Sequence, residues 1–492
     1  MTTFVKSSSP VSARFPYARL FILAIAVFIS VTAEMMPTGL LPQMSAELGV
    51  SEAQIGLLVT FFALSVVVTS VPLVALTRRF SRHRLIVAVL FVVSIASLCS
   101  ALSPSYEWLV GARILGGIAH GLFWAVVGAY SGHLVAKEHI GRAVAIITSG
   151  GTLAFVFGVP LATVVGQNFG WRVPFAAVSG LGVVAALLIL KFLPRVHAPA
   201  PVKRDARSAA ASGARRSATE PRASARRRVS PGERSATGLG GVVLICVTTA
   251  VIMVGHYALY TYITPFLTTQ VGIAPDHIGA VLFANGLGGA VGLVLVAVVF
   301  GRRPMLGIVL AVLVTGGVIT VLAFFSGNVV VSVVAMVIWG ASFGLLPSLL
   351  QARLLHVAAA SIRDTAVAFF STSFNVGIAA GAVLGGVLLS NLGLSSLPFA
   401  YLVVLAVSAV LLLGSVLMAH RRRGLVSGGA VDSGGAVGSV GAVGSAGSVS
   451  GVVLADGSEP GLPQPLATDQ ALGSNTAVID LVGLNWPVDG SK

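Results

Sequence analysis

Residues 20–42 read LFILAIAVFISVTAEMMPTGLLP, a mostly apolar run carrying a single acid, Glu34. About twenty such residues cross a bilayer as one helix. A charge at that depth costs at least a few kcal/mol, so an intramembrane acid is expected to face a polar cavity and do chemistry there. The rest of the chain is read outward from that carboxylate.

The 492 residues are 56% hydrophobic and only 10% charged, with mean hydropathy +0.95. Soluble domains carry roughly a quarter charged residues, so the composition is that of an integral membrane protein. The apolar runs are continuous and Gly-rich rather than alternating, which points to helices and away from a β-barrel. The net charge of +15 would raise nucleic acid as a partner in a soluble chain. Here the distribution of basic residues between loops accounts for it, and no nucleic acid is expected. Cys99 and Cys246 fall on different spans near opposite ends, so no disulfide framework is expected.

Twelve apolar segments follow one another, at 17–41, 53–76, 85–103, 108–133, 143–167, 173–193, 239–267, 277–300, 305–325, 329–353, 365–390 and 398–419. The even number places both termini on one side. Basic loops (Arg78, Arg79, Arg82 and Arg84; Lys137 and Arg142; Arg302 and Arg303; Arg421 to Arg423) mark that side as cytoplasmic, and Glu47, Glu52, Glu107 and Asp276 mark the short outer loops. The expected organisation is a cytoplasmic N-terminal segment 1–16, which lacks the pattern of a cleaved signal peptide, and a six-helix bundle 17–193. A basic Ala/Ser/Arg-rich linker 194–238, a second bundle 239–419 and a tail 420–492 complete it, linker and tail being read as disordered.

The two bundles are copies. Pro42, Gly49-Val50 and Ile55-Gly56 return as Pro265, Gly272-Ile273 and Ile278-Gly279, an offset of 223. The same offset carries Arg79 to Arg302, Gly117 to Gly340, Gly121 to Gly344, Gly158 to Gly381 and Gly170 to Gly393. Six spans per copy make the repeat parallel, and in such repeats the substrate site lies between the halves near the midplane. The expected fold class is an all-α membrane protein of twelve transmembrane helices in two parallel six-helix repeats.

Four stretches carry a family likeness: AEMMPTGLLPQMSAELGVSEAQIG (33–56), GARILGGIAHG (111–121), GVPLATVVGQNFGWR (158–172) and GHYALYTYITPFL (255–267). They resemble the major facilitator superfamily (MFS), in particular its twelve-span drug:proton antiporters and the branch of bacterial arabinose and sugar efflux permeases. The resemblance implies alternating access, proton coupling and export of a sugar, nucleoside or amphipathic drug from a monomer in the inner (plasma) membrane. It also implies gating by the loop between spans 2 and 3, where Arg78, Arg82 and Arg84 lie. That loop, LTRRFSRHR, departs from the family's pattern by placing Arg78 and Ser81 where an acid and a glycine are usual. Arg113 matches the basic residue of the span 4 motif, and Gly158-Val159-Pro160 resembles the hinge and seal of exporters.

Among the 16 Asp and Glu, only Glu34 falls inside a span. A partly desolvated carboxylate can exchange protons near neutral pH; the alternative is a structural acid satisfied by hydrogen bonds. At 1.5 Å per residue, Arg113 and Glu34 lie roughly 7–10 Å from the outer ends of spans 4 and 1. Their depths match, and the resemblance implies that the two helices adjoin, so an ion pair or water-bridged pair is expected, either coupling or static. Arg113, Gly117, His120 and Trp124 share one helical face, which with Thr38, His256, Tyr257, Tyr260, Asn285 and Asn375 makes the expected cavity wall. Each histidine read alone is more often a satisfied structural residue, and the asparagines could serve helix–helix hydrogen bonding. Gly150, Gly158 and Pro160, with Gly381 and Gly385, are read as packing and hinge positions.

Lys6, Lys137, Lys191, Lys203 and Lys492 are the only lysines and none follows a glycine, so the chain has no phosphate-binding Gly-Lys-Ser/Thr loop. No His-x-x-x-His or Cys-x-x-Cys spacing and no nucleophile elbow occurs, so neither enzyme, metal nor cofactor is expected. Protons, a small solute and the lipid bilayer are the expected partners. Facilitated uptake, or a receptor on the same fold, remains open on the residues alone.

Overall fold

The computed structural model describes residues 15–135, 139–194, 231–301, 303–359 and 362–431, with backbone only at 78, 129, 131–133, 231–238, 364 and 415–431. Among them twelve helices are long and apolar enough to span a membrane: α1 Tyr17–Leu48, α2 Glu52–Leu76, α3 Arg82–Ala101, α4 Tyr106–Gly128, α5 Ile140–Phe169, α6 Arg172–Phe192, α7 Leu239–Tyr260, α8 Pro275–Phe300, α9 Pro304–Phe325, α10 Val329–Val357, α11 Thr365–Leu392 and α12 Ser396–Gly414. No strand occurs among the described residues. Large apolar side chains such as Val68, Val71, Val298 and Val410 lie on the outside, as lipid-facing residues must when the solvent is itself apolar.

The repeat is visible in the backbone. The four positive-φ glycines among the described residues come as two pairs at the 223 offset, Gly49 with Gly272 and Gly170 with Gly393. A Cβ on Gly117 would meet the carbonyl of Phe62 at 2.3 Å, and one on Gly340 would meet that of Asn285 at 2.0 Å. Residues 62 and 285 are themselves 223 apart, so α4 approaches α2 as α10 approaches α8. Small residues that let backbones touch are the usual means of packing helices in lipid.

Within the halves α1 packs on α5 and α7 on α11; between them, α2 lies along α11 and α5 along α8. Among the described residues three hydrogen bonds cross between the halves: Thr264 Oγ1 to the Thr38 carbonyl (2.8 Å), Gln167 Nε2 to the Pro275 carbonyl (2.6 Å) and Thr60 Oγ1 to the Ala379 carbonyl (3.2 Å). All three lie in the part of the bundle nearer Gly49 and Gly272, which is closed.

Two expected boundaries move. The segment 194–238 ends in helix, because the helix leading into α7 begins at Pro231, a residue preset for a first helical turn. The stretch from 420 is helical to Val431, since extending an existing helix costs far less than starting one. Residues 1–14, 195–230 and 432–492, which hold most of the expected N-terminal segment, linker and tail, lie outside the described residues. The chain divides at Ser427 into a unit holding all twelve spans and a second, Gly428–Lys492, of which only the helix end is described.

Candidate functional site

α1 is the most enclosed span, with 78% of its apolar window buried, and it runs unbroken past Pro37 and Pro42. Glu34 therefore points at protein rather than lipid and is only 6% exposed. It lines a cavity of about 410 Å³ together with Met35, His120, Trp124, His256, Tyr257, Tyr260, Asn285 and Asn375. Thr148, Ser348, Gln351 and Ser371 extend that wall toward the end bearing the basic loops.

The hydrogen-bond pattern around the acid differs from the expected ion pair. The Arg113 guanidinium donates to the backbone carbonyls of Ala33 and Glu34, both at 2.6 Å, and rests on the Phe62 ring at 4.4 Å. Arg113 thus holds the backbone of α1 rather than the carboxylate, because its two terminal nitrogens reach carbonyls on the buried back of that helix. The carboxylate's partner is His120, whose Nε2 is 3.3 Å from Glu34 Oε2. The same Nε2 accepts the indole N–H of Trp124 at 2.8 Å, and His120 Nδ1 lies 2.8 Å from Ser30 Oγ. Ser30, His120, Trp124 and Glu34 form one connected polar group.

The facing wall is aromatic. His256 stacks on Phe343 and Tyr260 and lies within 6.2 Å, centroid to centroid, of Tyr257, Trp339 and Tyr401. Its Nδ1 is buried with no partner among the described residues. Asn285 Nδ2 donates to the Met336 carbonyl at 2.7 Å and Asn375 Nδ2 to the Ser371 carbonyl at 3.0 Å. Each amide thus ties a helix and lines the cavity at once.

Thr38, expected on the wall, is not there. Its hydroxyl donates back to the Met35 carbonyl at 2.7 Å, and its own carbonyl receives the Thr264 bond of the closed end. Gly150 and Gly158 sit where a Cβ would meet Ala24 and Thr32 of α1; Gly381 and Gly385 meet Val254 and Ala258 of α7 in the same manner. Just before Pro160 the helix loosens into a π-turn over Ala154–Gly158, which presents Phe155 to the cavity. Arg82 and Arg84 form no ion pair among the described residues, and the Arg78 side chain lies outside them. Ser30, Phe62 and Phe343 were not singled out by sequence; the 223 offset from His120 would have found Phe343.

Residues 23–263 and 245–430 match the profile of the Major Facilitator Superfamily. A chloramphenicol efflux pump of Mycobacterium tuberculosis (strain CDC 1551 / Oshkosh) is 32% identical over 75% of this chain and 85% of its own. A Mannheimia succiniciproducens protein, whose name gives sugar efflux as its expected role, is 27% identical over 81% of this chain and 93% of its own. The fold also matches a POT family transporter solved with a thioalcohol-conjugated peptide, at TM-score 0.65 and 12% identity over 82% of this chain and 96% of that one. Twelve spans in two offset copies, a cavity between them and these likenesses agree: the chain belongs to the Major Facilitator Superfamily of membrane transporters.

Proposed function

We propose that this transporter exports a small neutral solute in exchange for protons, with Glu34 as the proton-carrying group. The reading rests above all on one observation: the acid of α1 is buried on the cavity wall with His120 at 3.3 Å. An indole N–H can only donate, so the Nε2 facing Trp124 carries no hydrogen and Nδ1 carries it toward Ser30. A Glu34 oxygen near that same nitrogen suits the carboxylic acid; the carboxylate would call a hydrogen onto Nε2. Proton transfer at Glu34 thus changes which bonds His120 and Trp124 make, and both line the solute's cavity.

On this reading both termini are cytoplasmic in a plasma-membrane protein acting as a monomer, so that the cavity reaches the cytoplasmic end in this conformation. Solute arriving there meets the rings of Trp124, Tyr257, Tyr260 and Phe343 and the amides of Asn285, Asn375 and Gln351. That mixture suits a phenicol-type drug, a nucleoside or a sugar, in keeping with the names of the relatives. Rocking of the two bundles then exposes solute and acid to the outside, where Glu34 is reprotonated.

The test is substrate-dependent proton flux. Purified protein in proteoliposomes, offered chloramphenicol, arabinose and a purine nucleoside, is expected to move at least one of them against a pH gradient with matching proton movement. Transport of a panel member that neither moves protons nor responds to the gradient contradicts the proposal.

A further inference from the structure

His256 stands on the cavity wall with its ring plane fixed. It lies 6° off parallel to Phe343 at 3.3 Å between centroids, and 18° off Tyr260 at 5.2 Å. A ring held that way meets a ligand by its edge. Of the two nitrogens on that edge, Nδ1 is shut off from the cavity and has no partner among the described residues. Nε2 has no hydrogen bond among them either but is not shut off, so it is the nitrogen the cavity reaches.

The groups behind Nδ1 decide which nitrogen carries the hydrogen. Trp339 of α10 and Tyr401 of α12 are both 0% exposed and off the cavity wall. Their ring centroids lie 5.0 and 6.2 Å from that of His256 and 6.0 Å from each other. Tyr401 comes this close to α7 because Gly255 leaves room: a Cβ there would meet the phenol ring at 2.5 Å. The Trp339 N–H and the Tyr401 hydroxyl are buried, like Nδ1, without a closed hydrogen bond among the described residues. Three such atoms in one cluster are costly unless they pair with one another. The indole N–H can only donate, and it interacts with the phenol oxygen. The phenol keeps its own hydrogen to give, and Nδ1 is the group left in the cluster to take it.

We propose that Trp339 and Tyr401 hold His256 with Nδ1 bare and Nε2 protonated, so that Nε2–H reads an acceptor oxygen on the solute. The bonds run from the indole N–H to the phenol oxygen, from the phenol O–H to Nδ1, and from Nε2–H into the cavity. A histidine's tautomer follows from the bond its other nitrogen makes. The solute class is a neutral molecule that turns a carbonyl, nitro or hydroxyl oxygen toward α7; an ammonium at that point is refused, because donor would meet donor. Trp339 and Tyr401 touch no solute and act as positioning residues. This assignment rests on the reading of the cavity as the solute's site and is independent of proton transfer at Glu34.

The test is nuclear magnetic resonance on the full chain with its histidine nitrogens isotopically labelled, His256 being identified by the signals absent from His256→Phe. Before any ligand is added, His256 is expected to show a hydrogen on Nε2 and none on Nδ1. Tyr401→Phe, which removes only the hydroxyl, should mix the two tautomers. Thr315→Val, which instead removes a buried hydrogen bond to Ser342 of α10 (2.9 Å), should leave them unmixed. Chloramphenicol, arabinose and a purine nucleoside are then titrated in. Whichever binds should shift the Nε2 hydrogen signal and lose about threefold to tenfold in affinity in Tyr401→Phe. A hydrogen on Nδ1 in the wild type, or a folded Tyr401→Phe variant with the wild-type tautomer and affinity, overturns the assignment while proton coupling at Glu34 stands. Binding that leaves the His256 signals unmoved overturns the solute contact. A panel without a binder contradicts the solute reading itself, and the ligand-free tautomer still decides the positioning.

Discussion

The two halves share a backbone plan and differ in chemistry at matching positions. Glu34, His120, Trp124 and Ser30 of the first half correspond, at the offset of 223, to Tyr257, Phe343, Pro347 and Met253 of the second. The pair Arg113 over Phe62 corresponds to Met336 and Asn285, where a hydrogen bond from the amide replaces the contact of guanidinium with ring. What is held constant is the close approach of helices at glycines and the left-handed turns; what changes is what faces the cavity. One wall carries the acid proposed to take the proton, and the other offers rings and a histidine nitrogen with no partner among the described residues. A duplicated scaffold lets coupling and gripping be assigned to different copies, so a change to one need not disturb the other.

That division can be broken at several points. The largest effect is expected where the halves are alike: Gly117→Val and Gly340→Val each press a side chain into a facing carbonyl. Each should lower stability in detergent by about 2 kcal/mol or more, read as thermal unfolding. Loss in only one of them breaks the equivalence of the two packings. Next comes His120→Phe, which leaves Glu34 without its partner and should reduce gradient-driven transport roughly tenfold or more, as for loss of a hydrogen bond to a charged group. The reciprocal Phe343→His should leave coupling in place; a similar loss there contradicts the assignment of the proton to the first half. His256→Phe removes both ring nitrogens and should weaken substrate binding about fivefold to tenfold, as for one neutral hydrogen bond, with the pH response kept; titration of ligand against purified protein reads it. The smallest change is expected for Trp124→Phe, which deletes one N–H to His120 and should alter coupled transport rates by only a few-fold.

Much of the scaffold was legible in the sequence because it depends on local pattern. Span length, loop charge and the recurrence of Gly49 as Gly272 survive without knowledge of any contact. The cavity's membership was legible in part, since residues on one face of α4 and their counterparts on α7 had to meet if the halves were copies. The partner of Glu34 was not, because depth along a helix says nothing about which atom a long side chain reaches. Arg113 and Glu34 do lie at similar depth, yet the guanidinium is taken up by carbonyls of Ala33 and Glu34. Thr38 shows the same blindness in reverse: a hydroxyl one turn beyond Glu34 reads as cavity lining until its bond to the Met35 carbonyl is seen. Phe62 was invisible because a phenylalanine in a span looks like any lipid-facing or packing residue.

The most direct test of the account is Glu34→Gln in proteoliposomes, assayed for export driven by an imposed pH gradient and for exchange of substrate without one. The account predicts a folded protein whose gradient-driven export is abolished while substrate exchange persists. Gradient-driven export at the wild-type rate would contradict it.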